Sequence, residues 1–241
     1  MRFRERIIAL SAIAMIAISG VIAAPASAAP IRNDELTEIQ LAEMAQKIEA
    51  KTPPLSSKES KELDGLIKSE DLELWIGGKK VEDVTPKIVK LPVATAAGYQ
   101  PQTWGACGIA HASSKHVRTW TVQTVPYRAS PAILRCGTWN SKNPNGGWGF
   151  RHISGKHGGE WGTMGLLVNA NWRDIADFAI SDALSNVYKS SSNAANNTFS
   201  YNGIIQLKRY NGKTIKTYYV KVAVDQTDRR IITAYYTSKK M

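Results

Sequence analysis

The last third of the chain constrains the fold most, because one long amphipathic helix pattern there runs directly into three strand patterns. Trp172, Ile175, Ala176, Ala179, Ile180, Ala183 and Leu184 recur at i, i+3, i+4, i+7, i+8 and beyond. They paint one apolar stripe on a helix over about residues 171–186. Asp174, Asp177 and Asp182 fall off the stripe and read as its solvated side. A Ser/Asn-rich loop over 189–200 comes next, then strand candidates at 201–210, 213–224 and 230–237. Asn211-Gly212 between the first two is the preferred type I′ hairpin pair, and 226–229 makes the second turn. Tyr218, Val220, Val222 and Val224 alternate onto one face, which the helix covers. In the last strand Ile232, Ala234 and Tyr236 share one face, and Ile231, Thr233 and Tyr235 the other. One helix covers one face of a meander, so the opposite face is free to carry a site. The class that follows is α+β: an amphipathic helix packed on an antiparallel β-meander, preceded by a loop-rich β section and a small helical N-terminal region.

The N-terminus has the grammar of an export signal. Arg2, Arg4 and Arg6 form a basic start, an apolar run extends to about Ala24, and Ala26-Ser27-Ala28 satisfies the small-x-small cleavage rule. Cleavage near Ala28/Ala29 would leave a secreted chain with no stable membrane association. An uncleaved anchor is the alternative, since about 18 apolar residues is near the spanning minimum. Residues 29–90 then form an acidic region and 91–241 a basic domain. Counts of 10 Lys/Arg against 13 Asp/Glu over 30–90 give way to 18 against 6 over 91–241. A field of that sign attracts nucleic acid, anionic lipid or acidic cell-wall polymer.

The acidic region carries a helix pattern over 34–51 (Leu36, Ile39, Met44, Ile48), ended by Pro53-Pro54. A capping box, Ser56-x-x-Glu59, opens a second helix, and a small hairpin over 72–84 turns at Gly77-Gly78. Propeptide, mask for the basic domain and plain spacer all fit this region.

Between 91 and 149 lie Trp104, Trp120, Trp139 and Trp148 among turn residues, with strand-like alternation near Trp120 and over 133–139. Cys107 and Cys136 are the only cysteines, most simply a disulfide in an oxidising compartment. The rival is a zinc site that adds His111 and His116, although the spacing is not a common ligand pattern. No Gly-x-Ser-x-Gly, His-Glu-x-x-His or phosphate-binding Gly-rich motif occurs.

Chemistry concentrates in Arg151-His152-Ile153-Ser154-Gly155-Lys156-His157, which holds two of the four histidines with two cations. Two imidazoles can serve as general base and general acid while a cation stabilises an anionic phosphorane. The bland alternative is a solvated basic loop with its tryptophans in the core.

The order of a His-bearing basic segment, an amphipathic helix and three antiparallel strands ending in Thr233-Ala234-Tyr235 resembles the barnase/EndoU/colicin/RelE-like ribonucleases. The likeness covers about 147–238 and is to the bacterial toxin and phage-associated branches. It implies a metal-independent endoribonuclease that cleaves RNA by 2′-OH transphosphorylation, needs no cofactor and acts as a monomer. RNA is the implied substrate, and a toxin of this kind would have a cognate inhibitor protein. By position, His157 and Lys156 correspond best to the histidine and phosphate contact beside the helix. Thr233 and Tyr235 line the groove, and His152 and Arg151 complete the catalytic set. Glu160 is the sole glutamate after residue 90, and no barnase-like glutamate base is evident, so two histidines divide the acid and base roles. The alternative function is a secreted basic binding module for cell wall, surface or nucleic acid, without catalysis.

Overall fold

The computed structural model describes residues 36–69, 71–82, 104–105, 107–124 and 127–240. The expected export signal, its cleavage point and the end of the 72–84 hairpin lie outside them. Among the described residues no helix is long and apolar enough to cross a membrane.

Helix α1 (Glu38–Lys51) opens with a capping box in which Thr37 Oγ1 accepts from the Gln40 amide and the Gln40 side chain accepts from the Thr37 amide. Helix α2 (Ser57–Ser69) uses the anticipated box, with Ser56 N donating to Glu59 and Glu59 N to Ser56. The hairpin β1 (Leu72–Ile76) and β2 (Lys79–Lys80) follows. Next come two further hairpins, β3 (His116–Thr121) with β4 (Pro131–Arg135) and β5 (Thr138–Asn140) with β6 (Asn143–Trp148). The Cys107–Cys136 disulfide staples this section, so the cysteines are not zinc ligands.

The histidine segment is helical rather than a loop. It consists of α3 (Gly149–His152), a π-helical turn (Ile153–His157) and α4 (Gly158–Leu166). Six glycines weaken its intrinsic helix propensity, and burial of Ile153, Trp161 and Met164 overrides that deficit. Helix α5 (Trp172–Ser185) is capped by Asn171, whose side chain accepts from the Arg173 amide. Its apolar stripe is buried from Ile175 to Leu184, with Trp172 half-buried at its start, but Asp177 and Asp182 are buried too. Asp177 accepts from Trp104 Nε1 at 2.9 Å and Arg118 Nε at 3.0 Å, and Asp182 from Asn186 at 2.9 Å. Buried carboxylates persist where such donors meet them.

The main sheet runs β10-β9-β8-β1-β2, with β7 also paired to β8. Strand β7 (Lys189–Asn193) lies in what reads as a Ser/Asn loop, and the long strands are β8 (Thr198–Arg209), β9 (Thr214–Asp225) and β10 (Ile231–Thr237). The short strands share one edge of β8: β7 pairs with its first half and β1 with its second. Strand β1, from the acidic region, thus belongs to the same sheet as the basic strands. The Asn211-Gly212 hairpin forms, but only Gly212 takes a positive φ, of 80°. Its amide donates to the Arg209 carbonyl, and the register slips beyond Leu207, so the turn is wider than type I′. A bulge between Ile231 and Thr233 alters the expected faces of β10. Ile231 joins Ala234 and Tyr236 in the large core, while Ile232 sides with Tyr235.

Helix α5 covers one face of β8 and β9. On the other face α1 lies against β6 and β10 and closes a second, smaller cluster. Leu41, Met44, Ala45 and Ile48 pack there on Trp148, Ala223, Ile232 and Tyr235.

Candidate functional site

His152 ends α3 and His157 ends the π turn. In an α-helix residues five apart point about 140° away from each other. The i→i+5 closure of a π turn removes that divergence, and the ring centroids stand 5.3 Å apart. Gly155 lets Trp139 close against the turn: a Cβ there would lie 2.4 Å from the Trp139 ring. Helix α4 is tied to β10 by Trp161 Nε1, which donates to the Ala234 carbonyl at 3.3 Å, and by Tyr236 Oη, which donates to the Glu160 carbonyl at 2.7 Å. The histidines therefore sit over the side of β10 that carries Thr233 and Tyr235. The Tyr235 ring stacks on His157 with centroids 5.1 Å apart.

At the centre lies Glu49 of α1, 4% exposed. Its Oε1 meets His152 Nε2 at 2.7 Å and His157 Nε2 at 2.9 Å, and accepts from Thr233 Oγ1 at 3.1 Å. Its Oε2 accepts from Lys156 Nζ at 2.5 Å. The outer nitrogens differ: one is hydrogen-bonded and the other only faces a carboxylate. His152 Nδ1 donates to the Gly146 carbonyl at 3.2 Å, and His157 Nδ1 faces Glu160 Oε2 at 3.4 Å.

Burial opposes the charge on Glu49, but hydrogen bonds from His152 and His157 and their charge outweigh it. The carboxyl is held far below its usual range. Burial likewise opposes the cation of His157, yet Glu160 and Glu49 together raise its pKa. Burial raises the pKa of Glu160, partly offset by His157. Burial also pushes up the phenol of Tyr235. Its hydroxyl donates to the Thr52 carbonyl.

Of the sequence-derived residues, His152, His157, Lys156, Thr233 and Tyr235 are brought together. Arg151 is not. Its guanidinium donates to the carbonyls of Gly137 at 2.7 Å, Gly108 at 2.8 Å and His111 at 2.6 Å, clamping the disulfide loop. Arg151 points there because it lies one position from His152 on the helix, on a different face. His111 and His116 lie apart from the cluster: the first accepts from the Gly108 amide and the second meets Thr119 Oγ1.

Sequence reasoning missed Glu49. The available sign was its place on the i, i+4, i+8 ridge Leu41-Ala45-Glu49, an acid on an otherwise buried stripe. Glu49, His152 and His157 also have metal-ligand chemistry and are close enough together to share an ion. In the observed geometry both imidazole nitrogens address one carboxylate oxygen, and an ammonium takes the other. The residues other than Glu49 therefore form a receptor for a two-oxygen anion. Around such an anion they can exchange protons from two sides and neutralise added charge.

No protein-family model matches this chain, and no solved structure matches it. It is similar to two uncharacterized proteins of Mycobacterium tuberculosis, one from strain CDC 1551 / Oshkosh and one from a second strain. Each is 30% identical over 167 residues, which cover 66% of this chain and 56% of the relative. The chain thus spans little more than half the length of the curated relatives it matches.

Proposed function

We propose that this protein is an exported, metal-independent endoribonuclease of the barnase/EndoU/colicin/RelE-like kind, held latent by α1. One observation carries the reading: four side chains that could bind and cleave a phosphodiester converge on the two oxygens of Glu49. A carboxylate resembles the non-bridging oxygens of a phosphodiester in charge and spacing, so Glu49 holds the place of substrate.

With α1 displaced, the phosphate takes those contacts. His152, whose Nδ1 donates to a carbonyl, has Nε2 as its accepting nitrogen in the neutral form and removes the 2′-OH proton. His157, whose Nδ1 faces the Glu160 carboxylate and whose Nε2 meets the phosphate in place of Glu49, gives its proton to the departing 5′-oxygen. The 2′-oxygen–phosphorus bond forms as the bond to the 5′-oxygen breaks, leaving a 2′,3′-cyclic phosphate and a 5′-hydroxyl. Lys156 and Thr233 stabilise the added negative charge. Glu160 is a positioning residue that acts through His157 Nδ1.

The test compares the parent chain, Glu49→Ala and Glu49→Ala/His157→Ala on RNA in EDTA. Removing Glu49 strips Lys156 and His157 of a buried counter-charge, which loosens α1. Cleavage is expected from Glu49→Ala, with little from the parent, and a drop of about 10²- to 10⁴-fold on adding His157→Ala. A folded Glu49→Ala protein inert towards RNA refutes the reading and leaves a basic binding module as the function.

A further inference from the structure

A cavity of about 370 Å³ opens beside the histidine cluster, on the same face of the sheet. Its floor is set by strand register. Tyr235 of β10 pairs with Lys221 of β9, Lys221 with Asn202 of β8, and Asn202 with Lys189 of β7. Directly opposed residues in antiparallel strands share a face, so this row runs from the aromatic ring beside His157 straight into the cavity. Thr52 stands at the junction: its carbonyl accepts from Tyr235 and its hydroxyl from Lys221 Nζ at 3.3 Å.

The lining includes five lysines, Lys51, Lys189, Lys221, Lys239 and Lys240, and contains no acidic and no aromatic side chain. Among the described residues no carboxylate pairs with any of the five. Lys221 is 8% exposed. A buried ammonium without a carboxylate is costly unless an anion completes its surroundings. Asn202 is 2% exposed, and its Nδ2 donates to the Lys189 carbonyl at 2.8 Å. Its Oδ1 has no partner among the described residues, leaving an unsatisfied buried acceptor on a residue that lines the cavity.

We propose that this cavity is a subsite for the ribose-phosphate backbone of single-stranded RNA, with lysines on the phosphates and Asn202 Oδ1 accepting from a ribose 2′-hydroxyl. The inference rests on the ribonuclease reading for its choice of polyanion. An all-lysine lining without aromatic platforms grips backbone and leaves bases unread, so the subsite confers affinity without sequence preference. The 2′-hydroxyl contact discriminates against DNA.

Because α1 itself lines the cavity, binding is measured on the intact latent chain. The probe is a short fluorescein-labelled single-stranded RNA, followed by anisotropy at several salt concentrations, with DNA of the same sequence beside it. K189Q/K221Q is expected to weaken RNA binding at least about tenfold and to flatten the log–log salt slope by about 1.4, the value for two lost phosphate contacts. K239Q/K240Q, both exposed, shifts affinity and slope the same way without a burden on folding. K58Q/K61Q on α2 changes neither. RNA binding with parental affinity and slope in both groove variants overturns the proposal, and equal binding of DNA and RNA overturns the role of Asn202. Groove-dependent binding without cleavage by Glu49→Ala leaves the subsite standing and sinks the ribonuclease reading. Cleavage by Glu49→Ala with indifferent groove variants sinks the subsite alone.

Discussion

A carboxylate enclosed by two imidazoles, an ammonium and a hydroxyl keeps its charge in a buried place chiefly through the two imidazoles, and those depend on their backbone. His152 and His157 depend on the π turn, and at Gly155 that turn lies so close to Trp139 that it has no room for a Cβ. Gly155→Ala gains helix propensity but drives a methyl group into the indole. The expected net cost is about 1–3 kcal/mol, read as a lowered urea midpoint with an unchanged m-value. The ring contact between His157 and Tyr235 should loosen with it, visible as a shift of the His157 ring protons. At this scale the sequence was partly legible. The sequence grouped His152, Lys156 and His157 in one segment and placed Thr233 with Tyr235 on a shared strand face, and the five come together. Glu49 was not legible as a member, because its partners lie more than 100 residues away and its own surroundings in sequence are those of an ordinary acidic helix.

Among the elements, α1 is held by charge as well as by apolar contact, and the two respond differently to pH. Docking favours ionised Glu49, so its contribution is complete above the ordinary carboxylate range near pH 4.5 and is lost as pH falls towards its depressed folded value. His157 has a raised folded value. Its contribution is complete below the ordinary imidazole value near 6.5 and is lost as pH rises through the folded one. Protection of the α1 amides from hydrogen exchange, corrected for intrinsic rates, is therefore expected to peak between about pH 5 and 7 and fall on both sides. Glu49→Gln should remove the acid limb, and a flat profile in the parent chain would contradict the assignment. Local chemistry made several elements readable in advance: the Ser56/Glu59 box, the stripe of α5 and the Gly212 turn. Pairing of β1 with β8 was not readable, since nothing in either strand specifies a partner more than 100 residues distant. Strand β7 hid for another reason: its Ser and Asn residues have little strand propensity, and only the open edge of β8 orders them.

For the molecule as a whole, the disulfide and Arg151 fasten the loop-rich section to the helix that carries His152. Replacing Cys107 and Cys136 by serine should cost about 2–4 kcal/mol, measured by denaturant unfolding. It should also relax the carbonyls that Arg151 grips. The α+β class followed from the sequence because the meander and its helix are contiguous. The division into an acidic and a basic part did not foretell the architecture: α2 packs beside α4, β1 enters the main sheet, and α1 alone rests on its own small cluster. That separation has an evolutionary consequence. Substitutions at Leu41, Met44 or Ile48 alter how firmly α1 docks while leaving the large core untouched. On the latent-enzyme reading, selection can therefore reset the threshold of activation one methyl group at a time, without revisiting the foldability of the enzyme beneath.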